Sequence, residues 1–134
     1  MLKTYSGSCH CGAVRFEADI DFASGSGRCN CTICLKRRNW GVLIQPDAFR
    51  LTAGEDRLSD FRDAAGVGNR PFCRECGGGM FGHGHLEQLG GAFVSVSIGG
   101  LDGLTPEELA AIPVTYQNGL ENQWWDPPKV TSYL

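Results

Sequence analysis

From Ala13 onward, apolar and polar positions alternate: Val14, Phe16, Ala18 and Ile20 fall on one side, and Arg15, Glu17 and Asp19 on the other. That period of two predicts a half-buried strand. It returns in "AFVSVSI", where Ala92, Val94, Val96 and Ile98 share a face and mark the clearest strand of the chain. Shorter runs predict more strands: "WGVLIQP", closed by Pro46, and "FRLT" and "RLSDFR" on either side of a turn at Gly54. "DFASGSG" reads as a loop and "AAGVGNRP" as a turn. Only "TPEELAAI" carries a full helix signal, with Thr105 as N-cap, Pro106 at the first helical position and Glu108 completing a capping box. One further helical turn is expected after Cys31. The tail "VTYQNGLENQWWDPPKVTSYL" predicts irregular structure, with a turn at Asn118-Gly119 and the Pro127-Pro128 pair resisting regular elements. No repeat, low-complexity tract or linker interrupts the pattern. The expectation is one mainly β domain over residues 1–134, with short strands, much loop and one short helix.

Composition changes this picture in two places. Hydrophobic content of 42% and charged content of 20% are ordinary for a globular protein, but Gly occurs 19 times and Cys seven times in 134 residues. Many glycines imply many turns. An odd number of cysteines cannot close into a disulfide framework without one thiol left over. A net charge of −3 argues against a broad nucleic-acid surface, because phosphate binding needs a basic face. No apolar run approaches the roughly 18 residues of a membrane span. The opening "MLKTYSGSC" lacks the apolar core of a secretory signal, which points to the cytosol. In a reducing compartment, clustered cysteines are more often metal ligands than bridges.

The cysteines fall into three groups: Cys9-x-Cys11, Cys29-x-Cys31-x-x-Cys34 and Cys73-x-x-Cys76. The last is followed by Gly77, as in a zinc knuckle, where a tight turn aims two sulfurs at one metal. A closed tetrahedral site needs four ligands, and Cys9 and Cys11 are the most economical second pair. The middle group supplies three ligands within six residues and leaves its metal an open position. Other partitions are open to the same spacing: Cys29 and Cys31 could join the knuckle, leaving Cys9 and Cys11 as plain thiols. Iron–sulfur binding is another alternative, although the absence of a ferredoxin-like spacing favours zinc. Four-cysteine sites hold folds together, whereas three ligands and an open fourth position form the catalytic pattern. Three thiolates outweigh a zinc charge by one, so such a centre suits holding a soft thiolate better than generating hydroxide.

Around these groups, Lys36-Arg37-Arg38 directly follows the middle cluster. The run can offset its negative charge and grip substrate carboxylates, or it can be a solvated helical edge. Trp40 reads as core. His10, lying between two proposed ligands, points away from their metal. His83 and His85 could supply a fourth ligand or an acid/base, but a polar pair in a glycine-rich turn is the favoured reading. His85-x-Glu87 and "PFCREC" occur in reverse order for a zinc deaminase, so that match is chance.

The segments "GSCHCGAVRFE", "CNCTICLKR", "LTAGEDRLSDFR", "FCRECGGGMF" and "LDGLTPEELAAIPVTYQNG" together resemble the glutathione-dependent formaldehyde-activating enzyme family, or CENP-V/GFA domain, over roughly residues 6–125. The resemblance implies several small coiled antiparallel sheets pinned by two zinc ions. Cys9, Cys11, Cys73 and Cys76 match the family's structural ligands, and Cys29, Cys31 and Cys34 its catalytic-type ligands. It also implies carbon–sulfur lyase chemistry, adding glutathione to formaldehyde to give S-hydroxymethylglutathione, with Arg37 and Arg38 as candidate glutathione-binding cations. The rival reading is a zinc-stabilised, non-catalytic binding module, against which the acidic balance and the lack of basic tails argue.

Overall fold

The computed structural model describes residues 1–62 and 68–134. Among them run strands β1 (Lys3–Ser8), β2 (Arg15–Ile20), β3 (Ser26–Cys29), β4 (Gly41–Ile44), β5 (Phe49–Ala53), β6 (Leu58–Phe61), β7 (Gly68–Cys73), β8 (Phe81–Leu86), β9 (Gly91–Ser97) and β10 (Val114–Gln117). Two short helices accompany them, α1 (Thr32–Lys36) and α2 (Pro106–Ala110). The fold is mainly β, as the patterning requires. A three-stranded sheet has the order β1-β2-β5, and a seven-stranded sheet the order β10-β3-β4-β9-β8-β7-β6. No described helix is long and apolar enough to cross a membrane.

The alternating face of β2 forms the centre of the core. Val14, Phe16, Ala18 and Ile20 are all buried, and Val94 and Val96 of β9 and Ile98 just after it are buried in the same core, while Ala92 at the strand's start is exposed. Phe16 stacks on Phe49 at 5.5 Å and lies 6.1 Å from Phe81, joining the two sheets through aromatic contact. Burying one such side chain contributes roughly 1.5–3 kcal/mol. Thr105 caps α2 as expected, its hydroxyl accepting the Glu108 N–H at 3.1 Å.

Several expectations need correction. The tail is not wholly irregular: Val114–Gln117 forms β10, which pairs with β3 in parallel, so the sheets are not purely antiparallel. The reason is topological. The chain returns through α2, and the Pro113 carbonyl accepts both the N–H (2.7 Å) and the hydroxyl (2.8 Å) of Ser26, fixing the register. β1 and β8 lie where no strand was expected. Of the turn expected over 64–71, residues 64–67 lie outside the described set, while 68–71 begin β7. The Gly54 turn, at φ +89°, does separate β5 from β6, yet the two strands pair in different sheets. The helical turn after Cys31 becomes α1, giving two helices instead of one.

β1 and β8 escape the hydrophobic pattern because glycine replaces the inward side chain. Gly7 pairs with Phe16, and Gly84 with Phe93. A Cβ at either glycine would collide with the partner's ring, so the ring lies across the strand and fills its face. Gly7→Ala is therefore expected to displace Phe16 and to cost about 1–3 kcal/mol in urea unfolding of the metal-loaded protein. Wild-type stability would mean that the ring is not held over the glycine.

Candidate metal centres

Each of the two cysteine pairs of the first group sits in a turn made by its own sequence. Cys9 follows β1, and the chain reverses at once: the Gly12 N–H donates to the Cys9 carbonyl at 3.0 Å with Gly12 at φ +78°. Cys73 ends β7 and repeats the device, with the Gly77 N–H on the Cys73 carbonyl at 2.7 Å and Gly77 at φ +78°. A Cβ at Gly77 would meet nothing, so glycine is required there by conformation, not by space. The two turns face each other. A Cβ at Gly78 would touch both Cys76 Sγ and Cys9 Cβ at 3.5 Å.

This brings Cys9, Cys11, Cys73 and Cys76 together, their sulfurs all within 4.8 Å of one another. Cys9 Sγ lies 3.6 Å from Cys11 Sγ, which lies 3.7 Å from Cys73 Sγ. A disulfide would require about 2.05 Å. A zinc tetrahedron with bonds of ~2.3 Å has sulfur–sulfur edges of about 3.8 Å, so the donor type, number and spacing fit a divalent soft metal. Proton affinities in the group are driven apart. Backbone N–H groups of Cys11 and Gly78 lead in lowering Cys76 to about 6, while Cys11, although the Ala13 N–H pulls it down, rises to about 11 through desolvation and then its three thiol neighbours.

The second group forms differently. Cys29 ends β3, Cys31 is the N-cap of α1, and Cys34 lies one helical turn on. Their sulfurs also fall within 4.8 Å of one another, and among the described residues no histidine, carboxylate or further cysteine joins them. Hydrogen bonds from Cys29, then Cys34, hold Cys31 down to about 2, and Arg70 adds its charge. Cys34 is pushed far up by donating to Cys29 and Cys31. The trio can hold a metal through three thiolates, with one tetrahedral position not supplied by this group.

Asn30, between the first two of these cysteines, is buried and tied on three sides. Its Nδ2 donates to Asn118 Oδ1 at 2.9 Å, its Oδ1 accepts the Leu120 N–H at 3.0 Å, and its N–H donates to the Gln117 carbonyl at 3.2 Å. Of the basic run, Arg38 donates to the Tyr133 carbonyl at 2.8 Å and lines a narrow crevice with Arg28, Cys29 and Cys34. Arg37 extends to Gly79, beside the Pro71 carbonyl. Trp40 packs on the core as expected, beneath the Arg28 guanidinium at 4.7 Å. Arg28, Asn30 and Arg70 were not singled out from sequence. Asn30's place inside a C-x-C motif was a usable signal, whereas Arg70 had none, since only the fold brings β7 beside the trio.

The histidines go elsewhere. His83 and His85 lie on β8, not in a turn. His83 lines a separate hollow of about 420 Å³ with Phe49, Phe81, Asp60, Asn69 and Pro71. Asn69 and Pro71 alternate with Arg70 along β7, which sets this hollow on the opposite face of the strand from Arg70.

A small β domain that gathers four thiols from two distant turns and three more from one short segment carries two cysteine groups able to hold metal ions. The chain belongs to the glutathione-dependent formaldehyde-activating enzyme family, whose sequence profile matches residues 4–117. It is 32% identical over 83 residues to a Halomonas elongata protein provisionally named a glutathione-dependent formaldehyde-activating enzyme, the match covering 56% of this chain and 53% of that one. The chain thus spans about half the length of that curated relative. Its fold is similar to the crystal structure of a Rhodobacter sphaeroides protein, with a TM-score of 0.67 at 26% identity, covering 82% of this chain and 99% of the other.

The two groups predict different responses to ligand loss. Cys73→Ser is expected to yield molten or insoluble protein, since a structural zinc contributes on the order of 10 kcal/mol, comparable with a whole domain's stability. Cys31→Ser is expected to melt nearly as wild type while binding one metal ion fewer per chain by elemental analysis. Equal melting of the two variants would remove the distinction between the sites.

Proposed function

We propose that the chain is a zinc-dependent enzyme of carbon–sulfur lyase type that joins a small thiol, by default glutathione, to formaldehyde. Cys9, Cys11, Cys73 and Cys76 hold a structural zinc, and Cys29, Cys31 and Cys34 hold a second one that leaves a position for the substrate sulfur. The observation carrying this reading is the trio itself, three sulfurs gathered without a fourth protein donor among the described residues and flanked by arginines. Seven free thiols suit a reducing compartment such as the cytosol.

When bound, the second zinc supplies Lewis-acid stabilisation of a thiolate at neutral pH. The chain's residues handle the charge. Three thiolates and a divalent ion sum to −1, and glutathione adds its own thiolate and two carboxylates. Arg28 and Arg38 beside Cys29 and Cys34, and Arg70 near Cys31, offset that accumulation, and a guanidinium can grip a carboxylate through two parallel hydrogen bonds. Arg37 serves as a strut between α1 and the chain beside the knuckle. In the reaction the thiol sulfur forms a bond to the carbonyl carbon, the C=O π pair moves to oxygen, and the thiol proton ends there. The product is a hydroxymethyl thioether, with atoms and charge balanced.

Cobalt substitution provides the test. Glutathione is expected to shift the visible bands of the cobalt protein, and a non-catalytic binding module would leave them unchanged. Arg38→Asn with Arg70→Gln, asparagine being chosen because position 38 has φ +52°, is expected to weaken glutathione binding at least tenfold, about 1.4 kcal/mol. Mercaptoethanol should bind nearly as before. Equal loss for both thiols would point to a damaged metal site, and no loss would remove the arginines from substrate binding.

A further inference from the structure

The segment from Asn118 to Asp126 belongs to no regular element beyond one 3-10 turn, yet it is tightly built. The Asn118 N–H donates to the Asp126 carbonyl at 3.2 Å, the Gln123 N–H to the Asn118 carbonyl at 2.9 Å, and the Asn122 N–H to the Gly119 carbonyl at 3.1 Å. The segment is fastened to the cysteine trio by the Asn30 side chain, through Asn118 and Leu120. Its contact with the trio is direct. Cys29 Sγ and the six-membered ring of Trp124 both press on Gly119, at 2.7 Å and 2.5 Å from where a Cβ would stand. Glycine is the residue that lets sulfur and indole approach the same backbone atom.

Trp124 is nevertheless 46% exposed, and its orientation is set, Nε1 donating to Asn122 Oδ1 at 2.7 Å. A large apolar ring is thus held half-bare beside a sulfur of the three-cysteine centre, while Arg28 and Arg38 line the crevice at the same cysteine. The indole and Cys29 Sγ crowd the same point beside Gly119, so an organic group carried on a sulfur held beside Cys29 would have the indole as a neighbouring apolar surface.

We propose that residues 118–126 form the specificity wall of the three-cysteine centre. Trp124 is the surface against which the organic group on the substrate sulfur packs, and Asn30 is the positioning residue that holds the wall in place. The ligand class is a thiol with an apolar or aromatic group close to sulfur. This rests on the reading of the trio as a thiol-binding centre. Aromatic packing adds to simple burial, so an aryl group next to sulfur gains most from the indole.

The test uses the full chain loaded with cobalt and titrated with benzyl mercaptan and with mercaptoethanol, read by the visible bands of the metal. In the wild type, benzyl mercaptan is expected to bind at least tenfold more tightly than mercaptoethanol. Trp124→Ala, at a half-exposed position, should bring that ratio to within about threefold with mercaptoethanol affinity retained, and Trp124→Phe should restore most of it. A ratio unchanged by Trp124→Ala overturns the wall and leaves the thiol centre standing. Bands that respond to neither thiol overturn both.

Discussion

The structure depends on bringing thiols from distant parts of the chain into one small volume. Cys11 and Cys73 are 62 residues apart, and their sulfurs lie 3.7 Å from each other. Cys9 follows a strand of the three-stranded sheet, and Cys73 closes a strand of the seven-stranded one, so the four sulfurs sit where the two sheets meet. Without a cation this crowding is unfavourable, because four thiolates repel and each can ionise only at another's expense. Cys11, raised against the pull of the Ala13 N–H by desolvation and by its three neighbouring thiols, expresses that conflict, while backbone N–H groups single out Cys76 to ionise first. A divalent ion held there would turn the same geometry into a tie between the two sheets, adding to a core that centres on one buried face of β2 and its partners on and just after β9.

The two cysteine groups start from the same C-x-C spelling and end as different chemistry because the chain takes a different course after each. Beyond Cys11, Gly12 reverses the chain into β2, and Cys9 becomes almost fully buried. Beyond Cys31 the chain enters α1 instead, which delivers Cys34 from the same segment and leaves all three sulfurs only partly buried. A site assembled from one short segment can gain or lose its metal without separating two sheets. A site assembled from two distant turns cannot. That physical difference is the ground on which the proposed function gives the first group a structural role and the second a working one.

The parts legible in the sequence are those set by short-range rules. The alternation of Val14 to Ile20, the Thr105 cap and the cysteine spacings each needed only a few neighbouring residues, and each appears in the fold as read. The illegible parts are those in which one residue's role is set by a partner far along the chain. β8 reads as a glycine-rich turn until Phe93 is known to lie across Gly84. β10 reads as irregular tail until β3 offers it a parallel edge. His83 and His85 read as a polar pair in a glycine-rich turn, with a ligand or acid/base role as the alternative, because the sequence cannot show that both lie on β8 and that His83 lines a different hollow.

The same division holds within the site. Its donor atoms come from six consecutive residues, Cys29 to Cys34, and are therefore local. Its surroundings are not: Arg28 comes from β3, Arg38 from the end of α1, Arg70 from β7, and Trp124 from the segment after β10. Under the proposed function, a substitution in any one of these four places would alter what the centre accepts while leaving its three sulfur donors in place. The motif accordingly supplies a donor set suited to a soft metal, and leaves the surroundings of that donor set to residues whose meeting is decided by the whole fold. Around this trio the fold places cations near Cys29, Cys31 and Cys34 and an indole near Cys29, so under the proposed function the preferred thiol carries negative charge away from its sulfur and apolar surface close to it.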